Sequence, residues 1–526
     1  MFNTFFTVVQ LLIGMNNFRL LVASLLFCLC ACNCTDKGNN DTGKDEPPVT
    51  ETKDVTAYVT TADARNLFKR TSFSFTDLNV LNSYNVRYDK TALGKPVDGF
   101  GLAVTTATCY NLMKMSQEDR TAFLTEMFSP SEGVGSSLIR VSIGASDFCL
   151  HEEYTWCDEP GLENFAVHKE DKDYLFPILK EIYAINPDVK IIASPWSCPK
   201  WMKCQMPGGN DWNASKFNTP VTEEKDYDSW TGGRLKPSCY QTYAEYFVKW
   251  VQVMESEGFD IHALTMQNEP LNPGNSMSLV MPWQDQKEFV KVLGPAMEKA
   301  GLGDVQILLF DHNFNYDDKA GQNNYPLNIY ADPEAYRWSD GSAWHSYGGS
   351  VNELDEIQAT YPEKSIYFTE ASIGEWNYKF ADCLINDYSS LFLGTLKRGG
   401  QGVTLWNMML DDKNGPYSPQ DGSCKTCYGG VTIKSSDYST IVKNSHWFNV
   451  AHASAVVKPG ARKMETSGFN FPSGFECQMF LNPDGTIGVL MLNSQASVQQ
   501  VVFINDSFTV KYNVPAKSLV SLMWQE

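Results

Sequence analysis

Two glutamates stand at the ends of apolar runs. Glu269 closes the run in "IHALTMQNEP" (Ile261–Pro270), and Glu370 closes "SIYFTE" (Ser365–Glu370). A carboxyl rarely ends a buried strand unless it is paired or put to use. Two carboxyls that face one another can cleave a glycosidic bond. One protonates the leaving oxygen, and the other attacks the anomeric carbon or activates a water. Other chemistries have less to build on. The seven histidines are scattered and form no H-E-x-x-H, so a metal mechanism has little support. "CKTC" (Cys424–Cys427) is a single C-x-x-C with no second ligand pair, and reads as a disulfide or as unpaired thiols. No metal or organic cofactor is implied. A formal net charge of −20 argues against a nucleic-acid partner.

The elements that must position these carboxyls follow from the pattern around them. Eight short apolar runs alternate with helical patterns. They are Gly99–Thr105, Leu138–Gly144, Lys190–Trp196, Ile261–Glu269, Val305–Asp311, Ser342–Tyr347, Ser365–Glu370 and Gly402–Asn407. In "YAEYFVKWVQVMESEG" the residues Ala244, Phe247, Val248, Val251 and Met254 share one helical face, and Gly258 is a stop signal. Eight strands alternating with helices predict a (β/α)8 barrel over 96–445. A doubly wound sheet is the alternative, but no Gly-rich phosphate loop opens a helix. In a barrel the C-terminal strand ends form the active site. Trp196, Asn268, Glu269, Asp311, His345, Tyr347, Glu370, Trp406 and Asn407 all fall at such ends. β-rich segments over 446–526, including two strands joined at Asn482–Gly485, predict an accessory sandwich. Strands within 55–95 are expected to join it.

The motifs resemble glycoside hydrolase family 30, a family of retaining barrel glycosidases that includes glucosylceramidases and endo-β-1,6-glucanases. "TMQNEP" resembles the acid/base motif ending strand four, and "YFTEASIGEW" the nucleophile motif ending strand seven. "SPWSCPKWMK" (Ser194–Lys203) resembles the family's strand-three loop, and "GFG", "RVSIGASDF" and "LWNMML" follow the same order. The resemblance spans Gly99 to the C-terminus. It implies Glu269 as acid/base and Glu370 as nucleophile. It implies Asp147, Trp196 and Trp406 as sugar-binding residues, with His345 and Tyr347 near the nucleophile. On that assignment Glu269 must start protonated, so a raised pKa is expected there. Glu370 must start ionised, with Asn268 and Tyr347 as candidate donors. Asn268 can also bind a sugar 2-hydroxyl. Glu375 is a rival nucleophile, but it lies past the strand. Trp201, Trp212, Trp230 and Trp283 are candidate outer subsites. Ser346 and Cys198 depart from common family variants.

The N-terminus reads as a targeting segment over 1–34, with Met15 as the expected start. Arg19 precedes an apolar Leu20–Leu29, and "LCAC" resembles a bacterial lipobox with Cys32 as the lipidated residue. An ordinary cleaved secretory signal is the alternative. Residues 35–54 read as a polar tether. An exported chain permits disulfides, and Cys149/Cys157 and Cys424/Cys427 are close enough in sequence to pair. Cys198 pairs with Cys204 or rests as a buried thiol.

These readings together describe an exported retaining β-glycosidase, held to the bacterial cell envelope by a lipid anchor. The expected substrate is β-1,6-glucan, attacked endo-wise. A glucosylceramidase-like β-glucosidase comes second, and a β-xylosidase, β-fucosidase or xylanase third. A non-catalytic glycan-binding surface lipoprotein is the alternative from another class, and the presence of both carboxylates weighs against it.

Overall fold

The computed structural model describes residues 54–75, 85–207, 218–468, 470–505 and 508–526. The expected signal segment with Cys32, nearly all of the tether and Trp212 lie outside the described residues. Eight parallel strands form the barrel: β1 (Gly99–Leu102), β2 (Leu138–Ser142), β3 (Lys190–Ser194), β4 (Ile261–Thr265), β5 (Gln306–Asn313), β6 (Gly341–His345), β7 (Ser365–Glu370) and β8 (Gly402–Leu405). Neighbours pair in sequence order from β2 to β8, and β8 pairs with β1. A parallel bridge between Ala103 and Arg140 closes the ring. The eight strands coincide with the eight apolar runs, since strands covered on both faces read as continuous apolar sequence.

Helices cover the outside. Helix Tyr240–Ser256 buries Ala244, Phe247, Val251 and Met254, joined by Tyr243, Tyr246 and Trp250, while Val248 is only half-buried. Gly258, at φ 94°, follows its end. That left-handed conformation suits a glycine after a helix.

Inside the barrel, strand alternation stacks side chains in layers. Leu138, Ile192, Ala263, Leu308, Ala343 and Tyr367 form a buried apolar cluster. Two residues further along most of these strands the same inward face carries Arg140, Ser194, Thr265, His345 and Thr369, all buried. An apolar plug thus supports a polar layer directly beneath the mouth. β5 breaks the alternation. Its register shifts between Phe310 and His312, and Phe310 and Asp311 have φ of 73° and 75°. The bulge turns Asp311 into the polar layer, as bulges do when they re-aim a side chain.

The side domain is built on a nine-stranded sheet. Three strands, Asp54–Thr61, Lys69–Ser74 and Asn85–Pro96, come from the N-terminal region, and six follow residue 461. Phe475–Leu481 and Thr486–Asn493 pair antiparallel around the expected turn, with Gly485 at φ 82°. Between barrel and side sheet lies helix Ser445–Ser454, all of whose residues are buried. Its His452 bonds Thr60 through Nε2 at 2.8 Å and Ser521 through Nδ1 at 2.9 Å, so one ring joins the helix to two strands.

Candidate active site

Arg140 organises the mouth of the barrel. Its guanidinium donates to Oε2 of Glu370 at 2.5 Å, to Oδ1 of Asn268 at 2.8 Å and to Oδ2 of Asp311 at 2.8 Å. The Trp196 and Trp406 rings lie 4.9 and 5.5 Å from it and stack on one another at 5.0 Å. Asp311 also accepts from the hydroxyls of Ser194, Thr265 and Thr369 at 2.6, 2.7 and 2.6 Å, and bonds Nε2 of His345 at 3.0 Å. Burial works against its charge, but Arg140, His345 and these hydroxyls hold it well below the usual carboxylate range. A buried charge so completely paired costs little to keep and much to break.

Glu269 sits just past β4 with φ 47°, a strained conformation for a non-glycine residue. Its N–H donates to the Asp311 carbonyl at 3.0 Å, and the preceding Asn268 N–H donates to Pro195 at 2.8 Å. These bonds fix the turn that presents the carboxyl. Oε2 accepts the side-chain amides of Asn272 and Asn275, both at 2.8 Å, and Oε1 lies 3.3 Å from Nδ1 of His345. Glu370 ends β7 and accepts from the Tyr347 hydroxyl at 2.9 Å as well as from Arg140. Single ligating atoms of Glu269, His345 and Glu370 all lie within 4.8 Å of one another.

The distribution of charge corrects one expectation. Burial raises the Glu269 carboxyl, but the His312 and His345 rings and the Asn272 amide outweigh it and hold the group down at about 2. Burial instead pushes Glu370 up, against His345 and Arg140. His345 would be depressed by burial, yet the Glu370 charge and its bonds to Asp311 and Glu269 push it up to about 9. Both shifts favour the His345 ring over Glu269 as the seat of the proton, and His345 Nδ1 lies 3.3 Å from Glu269 Oε1. The two groups share it as a pair. His312 and His345, which contribute most to this, stand on β5 and β6, and the Asn272 amide comes from a loop whose folding over the glutamate no local pattern announces.

A cavity of about 280 Å³ opens above these groups, lined by Asp147, Glu269, Asn272, Tyr347, Glu370 and Trp406 among others. Burial and the Glu370 charge raise the Asp147 carboxyl well above its usual value. Arg140, rather than Asn268, is the partner that joins Tyr347 in bonding Glu370. Among the described residues the Asn268 Nδ2 has no hydrogen-bond partner, and Asn268, 2% exposed, lies behind the residues that line the cavity.

Two family models account for this architecture. The glycosyl hydrolase family 30 TIM-barrel domain matches residues 97–457, and the family's β-sandwich domain matches 460–522. The chain belongs to glycoside hydrolase family 30. Among its relatives, endo-1,6-β-D-glucanase neg1 of Aspergillus fumigatus is 28% identical over 84% of this chain and 88% of its own. Putative glucosylceramidase 1 of Caenorhabditis elegans is 25% identical over 94% of this chain and 95% of its own. The solved structure of the endo-β1,6-glucanase BT3312 superposes with a TM-score of 0.84 at 45% identity, covering 90% of this chain and all of that one. The chain is thus a glycoside hydrolase on the (β/α)8 barrel and β-sandwich architecture expected from its sequence.

The family 30 barrel brings Glu269, Glu370, Asn268, His345, Tyr347, Trp196, Trp406 and Asp147 to one mouth. Glu375 lies outside the cavity lining and accepts from Asn414 at 2.7 Å. Trp201, Trp230 and Trp283 do not line the cavity. Cys424 and Cys427 form a disulfide, whereas Cys149, Cys157, Cys198 and Cys204 are free and buried. Arg140 lies outside the sequence-based candidates, although a charged residue inside the apolar "LIRVS" strand is a visible signal. Trp376, six residues beyond Glu370, also lines the cavity, and no local pattern marks it.

Proposed function

We propose that this family 30 enzyme is a retaining endo-β-1,6-glucanase acting by double displacement. The approach of the Glu269 and Glu370 carboxyls to within 4.8 Å carries the stereochemical part of the reading, because retaining pairs lie about 5–5.5 Å apart and inverting pairs about 6.5–9.5 Å. The relatives named endo-β-1,6-glucanases support the linkage.

In the first step a Glu370 oxygen attacks the anomeric carbon as the glycosidic C–O bond breaks. Glu269 delivers a proton to the leaving oxygen. His345 supplies that proton, because its grip depends first on the Glu370 charge, and that charge disappears as the glycosyl ester forms. In the second step Glu269 takes a proton from a water that attacks the ester. The sugar is released with retained configuration, and one water is consumed per bond. Arg140 and Tyr347 hold Glu370 in line. Asp147, Asn268 and the stacked Trp196–Trp406 pair bind the sugar at the reacting centre. Export through residues 1–34, with lipid attachment at Cys32 and residence in a bacterial envelope, completes the proposal. It rests on the lipobox-like sequence alone.

The test is release of oligosaccharides from linear β-1,6-glucan by the chain lacking residues 1–34. Release that vanishes in Glu370→Gln supports the reading. No release from the glucan, with turnover of glucosylceramide or a small β-glucoside, replaces the substrate and leaves the two-carboxylate chemistry in place.

A further inference from the structure

We infer that Trp376 is a stacking platform for a second sugar ring, an outer subsite next to the one that holds the scissile bond. The inference rests on the glucan reading above.

Large apolar side chains at the surface are few among the described residues. Only two of the well-exposed ones are aromatic, Tyr347 at 47% and Trp376 at 52%, and both line the cavity that holds Glu269 and Glu370. Tyr347 already has work there through its bond to Glu370. Among the described residues Trp376 has no such partner, yet its ring is held in place. A Cβ built on Gly374 would lie 2.1 Å from the indole, so the ring rests directly against backbone where only a glycine fits. Gly374 pairs with Cys427 in a short ribbon, and the Glu375 N–H donates to the Thr426 carbonyl at 2.9 Å. The Asn414 amide holds the Glu375 carboxyl at 2.7 Å, and the Cys424–Cys427 disulfide closes the supporting turn. An exposed indole on so fixed a base loses little freedom when it binds.

The size of the cavity gives the platform something to do. About 280 Å³ is at the low end for a ligand site, and Trp376 lines its open rim. Further rings of a polymer that leave the reacting centre pass across that rim. A β-linked glucose presents faces of C–H bonds, which pack on an indole while its hydroxyls stay in water.

The experiment compares Trp376→Ala and Trp376→Phe with the wild type, using β-1,6-linked glucose oligosaccharides of three or more rings and an aryl β-glucoside of one. The expected result is a roughly tenfold fall in the ratio of kcat/KM for oligosaccharide over aryl glucoside in Trp376→Ala, partly restored in Trp376→Phe. The acid and alkaline limbs of the pH profile should stay in place. An unchanged ratio with an active wild type overturns the platform and spares the glucan reading. So does an equal loss on both substrates, which marks a structural role. A wild type inert on the oligosaccharides overturns the glucan reading and the platform with it.

Discussion

A proton shared between Glu269 and His345 gives the pH profile a definite shape. Glu370 must be ionised to attack, and its pKa is raised, so activity should fall on the acid side already above the ordinary glutamate value of about 4.3. The pair must hold one proton, and it loses that proton near pH 9, where His345 titrates. The expected profile of kcat/KM is a bell with its alkaline limb near 9. His345→Gln leaves the proton to Glu269 alone, so its alkaline limb should move to lower pH and kcat should fall by roughly a hundredfold. An alkaline limb that stays put in this variant would remove His345 from proton delivery. The residues themselves differ in how far sequence reveals them. Glu269 and Glu370 were legible because a carboxylate ending an apolar run is unusual. Asp311 was visible only as a polar strand end, since the bulge that turns it inward depends on pairing with β6. The pKa order of the two glutamates was beyond reach, because it is set by His312, His345 and Asn272 from other segments.

The loops above the strands act as connected elements. The segment after β8 reaches three others. The Ser418 N–H donates to the Asp147 carbonyl at 2.8 Å. Gly422 packs so closely on the loop after β4 that a Cβ there would lie 2.5 Å from the Gly274 oxygen. Its Thr426 carbonyl accepts from the Glu375 N–H of the loop after β7 at 2.9 Å. The disulfide closes a span of only three residues. Its removal therefore acts mainly on that turn, with a limited effect on chain entropy. In Cys424→Ser/Cys427→Ser the segment that holds Ser418 on the Asp147 backbone loosens, and KM for glucan should rise about fivefold, the worth of one hydrogen bond. kcat and the melting temperature should change little. A lowered melting temperature with unchanged KM would make the disulfide a stabiliser only. At this scale the barrel strands were the most legible part of the sequence, because burial on both faces leaves a plain apolar signature. The loops were the least, since their shapes are fixed by contacts with one another.

The barrel and the side sheet share a seam, and a buried histidine lies in it. His452 accepts or donates to Thr60 and Ser521 across three elements, and burial depresses its pKa to about 3. In the unfolded chain the same ring titrates near 6.5. Below about pH 6.5 the unfolded state binds a proton that the folded state refuses, so stability falls as pH falls, until the folded pKa is reached. The slope from this group is about 1.4 kcal/mol per pH unit, or roughly 2.7 kcal/mol by pH 4.5. Other groups contribute their own pH dependence, so the informative quantity is a difference. His452→Gln keeps a hydrogen-bonding side chain and removes the titration. It should be less stable than the wild type at pH 7.5, and that deficit should shrink steadily toward pH 4.5 in denaturant melts. A deficit that stays constant with pH would mean that the seam admits a charged imidazole. The seam would then be wetter than the full burial of helix Ser445–Ser454 implies.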